Sequence, residues 1–176
     1  MRTVTLYIAM SLDGYIAALG DNLGFLDKVE KTGEDYGYGN FITEIDTIIL
    51  GRRTYDWLMQ HVSEYPHTDN DTYIIISNPK ESIDNIQFYT GDLTELINGL
   101  KKKKGKGIFV DGGSELVNAL LKQNLIEEFI ISIIPVFLGA GTPLFREGRP
   151  QADLTLVDTK RFDTGLVQLH YKRFVQ

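Results

Sequence analysis

Apolar positions fall into two rhythms along this chain. Runs of consecutive aliphatic and β-branched residues read as buried strands at residues 3–10, 47–50, 73–76, 108–110 and 129–137. Residues 86–89 give a shorter strand of the same kind. Elsewhere apolar residues recur at helical spacing. Tyr38, Phe41, Ile42 and Ile45 predict a helix over residues 34–45, whose first turn Gly37 and Gly39 weaken. Tyr55, Leu58, Met59 and Val62 mark a second helix. Leu93, Leu96, Ile97 and Leu100 mark a third, ending in Lys101 to Lys104, and Leu116, Val117, Leu120 and Leu121 a fourth. Residues 19–26, 61–71 and 139–143, rich in glycine, proline and polar side chains, read as loops. Two last strands, 154–162 and 166–175, are joined by Asp163-Thr164-Gly165 as a hairpin.

Strands and helices alternate first, and strands alone finish the chain. That order predicts an α/β fold: a mainly parallel central sheet flanked by helices, extended by a C-terminal antiparallel hairpin. A chain of 176 residues suits one domain spanning 1–176. A net charge of −6 argues against general nucleic-acid or membrane-surface binding. Cysteine is absent, which excludes disulfides, thiol catalysis and cysteine-bound metals and fits a reducing compartment. The start of the chain runs straight into a strand pattern without a signal-peptide core, so a cytoplasmic protein is expected. His61, His67 and His170 show no metal-ligand spacing, no GxSxG elbow is present, and no metal is expected.

In an open α/β sheet, ligands bind beyond the carboxyl ends of the strands. Three such ends carry suitable groups. Gly51-Arg52-Arg53-Thr54 joins a strand to a helix, where unpaired amides and the helix dipole suit an anion and two guanidinium forks match phosphate oxygens. A solvated helix start with two surface arginines is the plainer reading. Ser77 and Asn78 close the third long strand with small hydrogen-bonding groups. Asp111-Gly112-Gly113-Ser114 is a second glycine turn into a helix, which tight helix-to-strand packing would also explain. Together the two turns argue for a ligand with separated phosphates, of which NADPH is an example. The four lysines after the third helix suit a helix C-terminus better than a nucleic-acid patch.

Four segments in order carry a resemblance to a known family: Met10-Ser11-Leu12-Asp13-Gly14-Tyr15-Ile16-Ala17, Leu50-Gly51-Arg52-Arg53-Thr54-Tyr55, Asp111-Gly112-Gly113-Ser114, and the stretch from Pro135 through Leu138-Gly139-Ala140-Gly141 to Phe145. The chain resembles the dihydrofolate reductase-like family, and within it the branch formed by the C-terminal reductase domain of the riboflavin-pathway deaminase/reductase (RibD). The resemblance implies a dihydrofolate reductase fold, NADPH as hydride donor and a homodimer. By position it implies that Gly51, Arg52, Arg53 and Thr54 hold the cofactor's phosphates. Ser77 and Asn78 would face its adenosine 2′-phosphate side, and Gly112, Gly113, Ser114 and Glu115 its pyrophosphate. Ala9 and Ile16 would flank the nicotinamide. The Leu-Pro-Trp segment of true dihydrofolate reductases is absent, residues 23–27 standing in its place. Tyr15 replaces the basic residue that riboflavin-type reductases often carry, and no deaminase zinc motif is present. A stand-alone reductase domain follows.

Reduction of a C=N or C=O bond needs a hydride and a proton. Asp13 and Asp35 are the two candidates for the catalytic acid or substrate anchor. Asp13 lies in the first loop, where apolar neighbours would raise its pKa. An ordinary Asp-Gly turn is the alternative. Asp35 falls at the start of the first predicted helix, where it would clamp a 2-amino-pyrimidine edge or simply favour the helix terminus. Tyr38 and Phe41 are candidates for the substrate wall, Phe41 also fitting the core, and Trp57 reads as packing. The activity expected is NADPH-dependent reduction of a small pteridine-like or pyrimidine substrate. Riboflavin-pathway reduction of a ribosylaminopyrimidine phosphate is the first rival. A nucleotide-binding module without turnover, and a structural dimerisation domain, are rivals of other classes.

Overall fold

A computed structural model describes residues 2–174. Strand β1 (Val4–Ser11) is followed by a short β2 (Tyr15–Ala17), a 3₁₀ turn over Gly24–Val29 and helix α1 (Tyr38–Thr43). Then come β3 (Ile45–Gly51), α2 (Arg52–His61), β4 (Asp71–Ile75), β5 (Ile86–Tyr89), α3 (Leu93–Lys102), β6 (Gly107–Gly112) and α4 (Ser114–Lys122). The chain closes with β7 (Glu128–Ile134), β8 (Thr142–Pro143), β9 (Leu154–Arg161) and β10 (Val167–Arg173).

Eight strands form one sheet in the order β5-β4-β3-β6-β1-β7-β10-β9. Pairing is parallel from β5 through β7 and antiparallel in the final β10 and β9. This is the expected mixed α/β architecture, with its C-terminal hairpin. The central strands are continuous apolar runs because both faces are covered. Leu6, Ile48, Ile49, Leu50, Ile74, Ile108 and Val110 are fully buried, each contributing about 1.5–3 kcal/mol by leaving water. One face packs on α3 and α4 through Leu96, Ile97, Leu100, Leu116, Val117 and Leu120. The other packs on α1 and α2 through Phe41, Ile42, Tyr55 and Leu58. The chain returns from the edge strand β5 to insert β6 between β3 and β1. A crevice is expected at such a reversal of winding.

Several boundaries differ from the sequence expectation, each for a local reason. Helix α1 is six residues, not twelve, because Tyr36 and Gly37 both have positive φ (57° and 86°) and hold the chain out of the helix. Helix α2 ends at His61, so Val62 lies outside it and Met59 faces solvent. Helix α3 is capped by Asp92, which accepts from the Glu95 amide at 3.0 Å. Lys101 belongs to its last turn and pairs with Glu127 at 2.5 Å instead of standing free in solvent. Strand β7 stops at Ile134, before Pro135, which has no N–H for the ladder, and Phe137 is exposed. The expected loop 19–26 contains the start of the 3₁₀ turn, and the small sheet β2-β8 was not expected. The last residue expected in the hairpin, Val175, lies outside the described residues. β9 forms the open edge of the sheet and is exposed along its whole length. Among the described residues no helix is long and apolar enough to cross a membrane.

Candidate active site

A cleft of about 830 Å³ runs across the carboxyl ends of β1, β3, β4 and β6. Its size is that of a small-ligand or cofactor site. The two glycine turns meet in its wall. A Cβ built on Gly51 would lie 3.5 Å from the Gly113 amide nitrogen, and one on Gly113 would lie 3.0 Å from Thr54 Oγ1. The starts of α2 and α4 are thereby brought side by side. Gly51 and Gly113 are the N-cap residues of these helices, and no side chain caps either. Their first-turn amides therefore remain available to an anion.

The cleft gathers most of the residues that the sequence singled out. Ala9, Ile16, Gly51, Arg52, Arg53, Thr54, Ser77, Asn78, Gly113, Ser114, Glu115 and Tyr38 all line it. Arg52 Nε bonds both carboxylate oxygens of Asp56 at 2.7 and 2.6 Å. Arg53 NH2 is held by both oxygens of Asp21, at 2.9 and 2.7 Å, from the loop before the 3₁₀ turn. Both pairs are exposed. Exposed pairs of this kind are weak, and each leaves guanidinium N–H groups for a ligand. A third cation, missed in the sequence, joins them: Arg146 lines the cleft and donates through Nε to Ser114 Oγ at 3.0 Å. The Ser114 hydroxyl in turn donates to the Pro143 carbonyl at 2.5 Å. Ser114 thus holds Arg146 in place. Three guanidiniums and two uncapped helix starts form a donor set suited to phosphate oxygens.

Four expectations need correction. Gly112 does not line the cleft with its neighbour. It is buried behind it, with φ of 116° that only glycine adopts readily, and a Cβ there would touch Ile8 Cδ1 at 3.4 Å. Phe41 packs in the core, its ring centroid 4.7 Å from that of Tyr7 and 5.1 Å from that of Phe109. Trp57, read as packing, lines the cleft and stacks on His61 at 3.9 Å between centroids. Asp13 lies outside the cleft and its surroundings are polar. It accepts from Ser11 Oγ at 2.6 Å and from the amides of Leu138 and Gly139 at 3.1 and 2.7 Å. The Ser11 hydroxyl first, then these amides, hold its pKa below the ordinary value. Asp13 is therefore a clasp between the first loop and the segment after β7.

The expected consequence is structural. A depressed carboxyl contributes stability above its ordinary pKa and loses it as pH falls through the depressed one. Asp13→Asn should lower the melting temperature at pH 7, with the difference from the parent shrinking in strong acid. NADPH affinity of the folded variant should stay within about twofold of the parent, since no charged hydrogen bond to a ligand is lost. A large loss of affinity without loss of stability would put Asp13 back in the site.

Asp35 also lies outside the main cleft. Its carboxylate accepts from the Gly37 and Gly39 amides at 2.8 and 2.9 Å, which satisfies the start of α1 and lowers its pKa. Both of its oxygens are thus engaged by backbone, and it borders a separate cavity described below.

Of the carboxyls that line the cleft, Asp21, Asp111 and Glu115, Asp111 was taken in the sequence as part of a turn. It sits at the carboxyl end of β6, on the α1 side, following Phe109. The β3–β6 register runs from Ile49 opposite Val110 to Leu50 opposite Gly112, so Asp111 is the extra residue of a bulge. Bulges re-aim side chains beside active sites. Asp111 has no hydrogen-bond partner among the described residues, and burial pushes its pKa up to about 6. The neighbouring Tyr38 and Tyr65 phenols are pushed up by burial first and by the Asp111 charge second. The sequence did hold a signal: an acidic residue ending a central parallel strand, where ligands bind.

Comparison with known proteins agrees with this fold. The RibD C-terminal domain family matches residues 2–168. The chain belongs to that family. It is 41% identical to the uncharacterized protein YwjB of Bacillus subtilis (strain 168), over 98% of both chains. YyaP of the same organism is 32% identical, over 97% of this chain and 94% of its own. A crystal structure of a protein assigned to riboflavin biosynthesis, from Shewanella sp. PV-4, superposes with a TM-score of 0.91 at 26% identity, covering 99% of this chain and 100% of its own. The deaminase/reductase of Thermotoga maritima shares the fold at 11% identity and a TM-score of 0.73, and this chain covers 98% of itself and 57% of that longer chain.

Proposed function

We infer that the protein is an NADPH-dependent reductase of a small pteridine-like or pyrimidine substrate, with Asp111 as the proton donor. One observation carries this reading. One cleft is lined both by three arginines with two uncapped helix starts and by Asp111, an unpaired carboxyl near Tyr38. Bound NADPH supplies hydride. Arg52, Arg53 and Arg146 would hold its phosphates, and Ala9 and Ile16 would border its ring. Asp111, protonated below about pH 6, would give its proton to the nitrogen or oxygen of the acceptor. Tyr38, Trp57 and Leu58 supply flat and apolar surface for a heteroaromatic ring.

Membership of the RibD C-terminal domain family favours a riboflavin-type pyrimidine as the acceptor. Asp111 argues against a binding module without turnover, since holding a nucleotide gains nothing from a carboxyl that burial destabilises. The test is NADPH oxidation, followed by absorbance, against a panel of pteridines and aminopyrimidines. We expect oxidation that depends on at least one acceptor. Tight NADPH binding with no acceptor reduced would favour the binding module.

A further inference from the structure

A second cavity, of about 460 Å³, shares Tyr7, Ala9 and Leu26 with the main cleft. None of the three arginines lines it. Its floor is polar and already satisfied. Gln168 Nε2 donates to Tyr7 Oη, Ser132 Oγ and the Tyr36 carbonyl at 3.0–3.2 Å. Its rim is acidic. Among the described residues, Asp27, Glu30, Glu34 and Asp35 line it against a single cation, Lys31. Lys31 leans to Asp163 at 3.5 Å. Two of the carboxylates are held in place: Asp35 by the Gly37 and Gly39 amides, and Glu34 by the Tyr36 amide at 2.9 Å. The Asp35 charge is felt at the junction, where it adds to burial in keeping the Tyr7 phenol protonated, against the hydrogen bond from Gln168.

The main cleft thus holds the three arginines with Asp21, Asp111 and Glu115 among them, whereas the second cavity sets four carboxylates against one lysine. We propose that the acceptor reaches into this second cavity as its compartment, which takes an uncharged or cationic heteroaromatic compound and rejects one carrying a phosphate. Like charges brought together across a binding surface are costly. With the arginines committed to the cofactor, the compartment has only Lys31 to offer a second phosphate. The inference rests on the reductase reading, and it separates this chain from a reductase of ribosylaminopyrimidine phosphates.

The test is a matched pair, a 6-(ribosylamino)pyrimidine and its 5′-phosphate ester. Each is titrated into the NADP⁺-loaded protein. Trp57 is the only tryptophan and lines the cleft, so its fluorescence reports binding without turnover. The phosphate-free compound should bind about tenfold or more tightly. The ratio should narrow as salt is raised, because exposed carboxylates are screened. Asp27→Lys with Glu30→Lys, two exposed side chains outside the main cleft, should narrow it about tenfold at low salt. Equal or tighter binding of the phosphate ester overturns the proposal, as does binding of neither compound. A preference that ignores both salt and the double variant overturns it too, since shape would then be its cause. NADPH oxidation by the same pair reports separately on the reductase reading. Reduction of the ester in preference to its phosphate-free partner would sink the proposal and leave the reductase standing.

Discussion

Asp111→Asn is expected to slow turnover by about 10²–10⁴-fold, the usual contribution of a positioned general acid. The same substitution should stabilise the fold. A carboxyl whose folded pKa is raised contributes stability that is complete below its ordinary pKa of 3.8 and lost as pH rises through the folded value of about 6. Ionising Asp111 at neutral pH therefore costs up to about 3 kcal/mol, and the neutral amide removes that cost. The pair of signs is diagnostic. A merely structural carboxylate would lose stability on replacement, and a bystander would change neither quantity. The parent's activity should fall as pH rises through about 6, as the acid loses its proton, and the variant's profile should lose that limb. Steady-state kinetics and thermal melts across pH 5–9 measure both. Full activity in Asp111→Asn, or a flat parent profile, would move the proton source elsewhere.

Replacing Arg52 and Arg53 together with alanine should weaken NADPH binding by about 10²–10⁴-fold, two lost charged hydrogen bonds costing about 1.5–3 kcal/mol each. NADH should suffer less, because it lacks the phosphate that most needs a guanidinium. The parent should therefore prefer NADPH, and the double variant should lose most of that preference. The geometry refines the expectation. Arg53 is already chelated by Asp21 and Arg52 by Asp56, so part of the binding energy is spent on sharing these arginines with their carboxylates. Asp21 and Asp56 also neutralise the site when it is empty, which limits the stability change in the double variant. Fluorescence titration of both cofactors reads the outcome. Equal affinities of the parent for NADPH and NADH would remove the phosphate role from these arginines.

Much of the cleft was legible because its parts are local. Gly51-Arg52-Arg53-Thr54 and Gly113-Ser114 each announce a strand turning into a helix, and a strand's carboxyl end is a place for ligands wherever the sheet is parallel. The carboxyl proposed as the proton donor was not legible in the same way. Asp13 and Asp35 both sit in turns where an acidic side chain can serve the chain's own amides, and in both cases it does. Asp111 looked like one more turn residue. What sets it apart is the bulge opposite Leu50, a property of strand pairing, and the lack of a hydrogen-bond partner among the described residues.

By itself the sequence determined the alternation of strands and helices, the apolar runs of the central sheet, and the two glycine turns, because these depend on side-chain periodicity and backbone freedom over a few neighbouring residues. It did not determine which turns would touch. Strand order decided that: inserting β6 between β3 and β1 set Gly113 against Gly51 and brought their helix starts side by side. Tertiary packing also selected Arg146, brought to Ser114 from a distant loop, and set the acidic rim of residues 27–35 around the second cavity. The physical reason is one of range. Periodicity and turn chemistry act between near neighbours in the chain, whereas desolvation and the field of distant charges depend on what the folded sheet brings together.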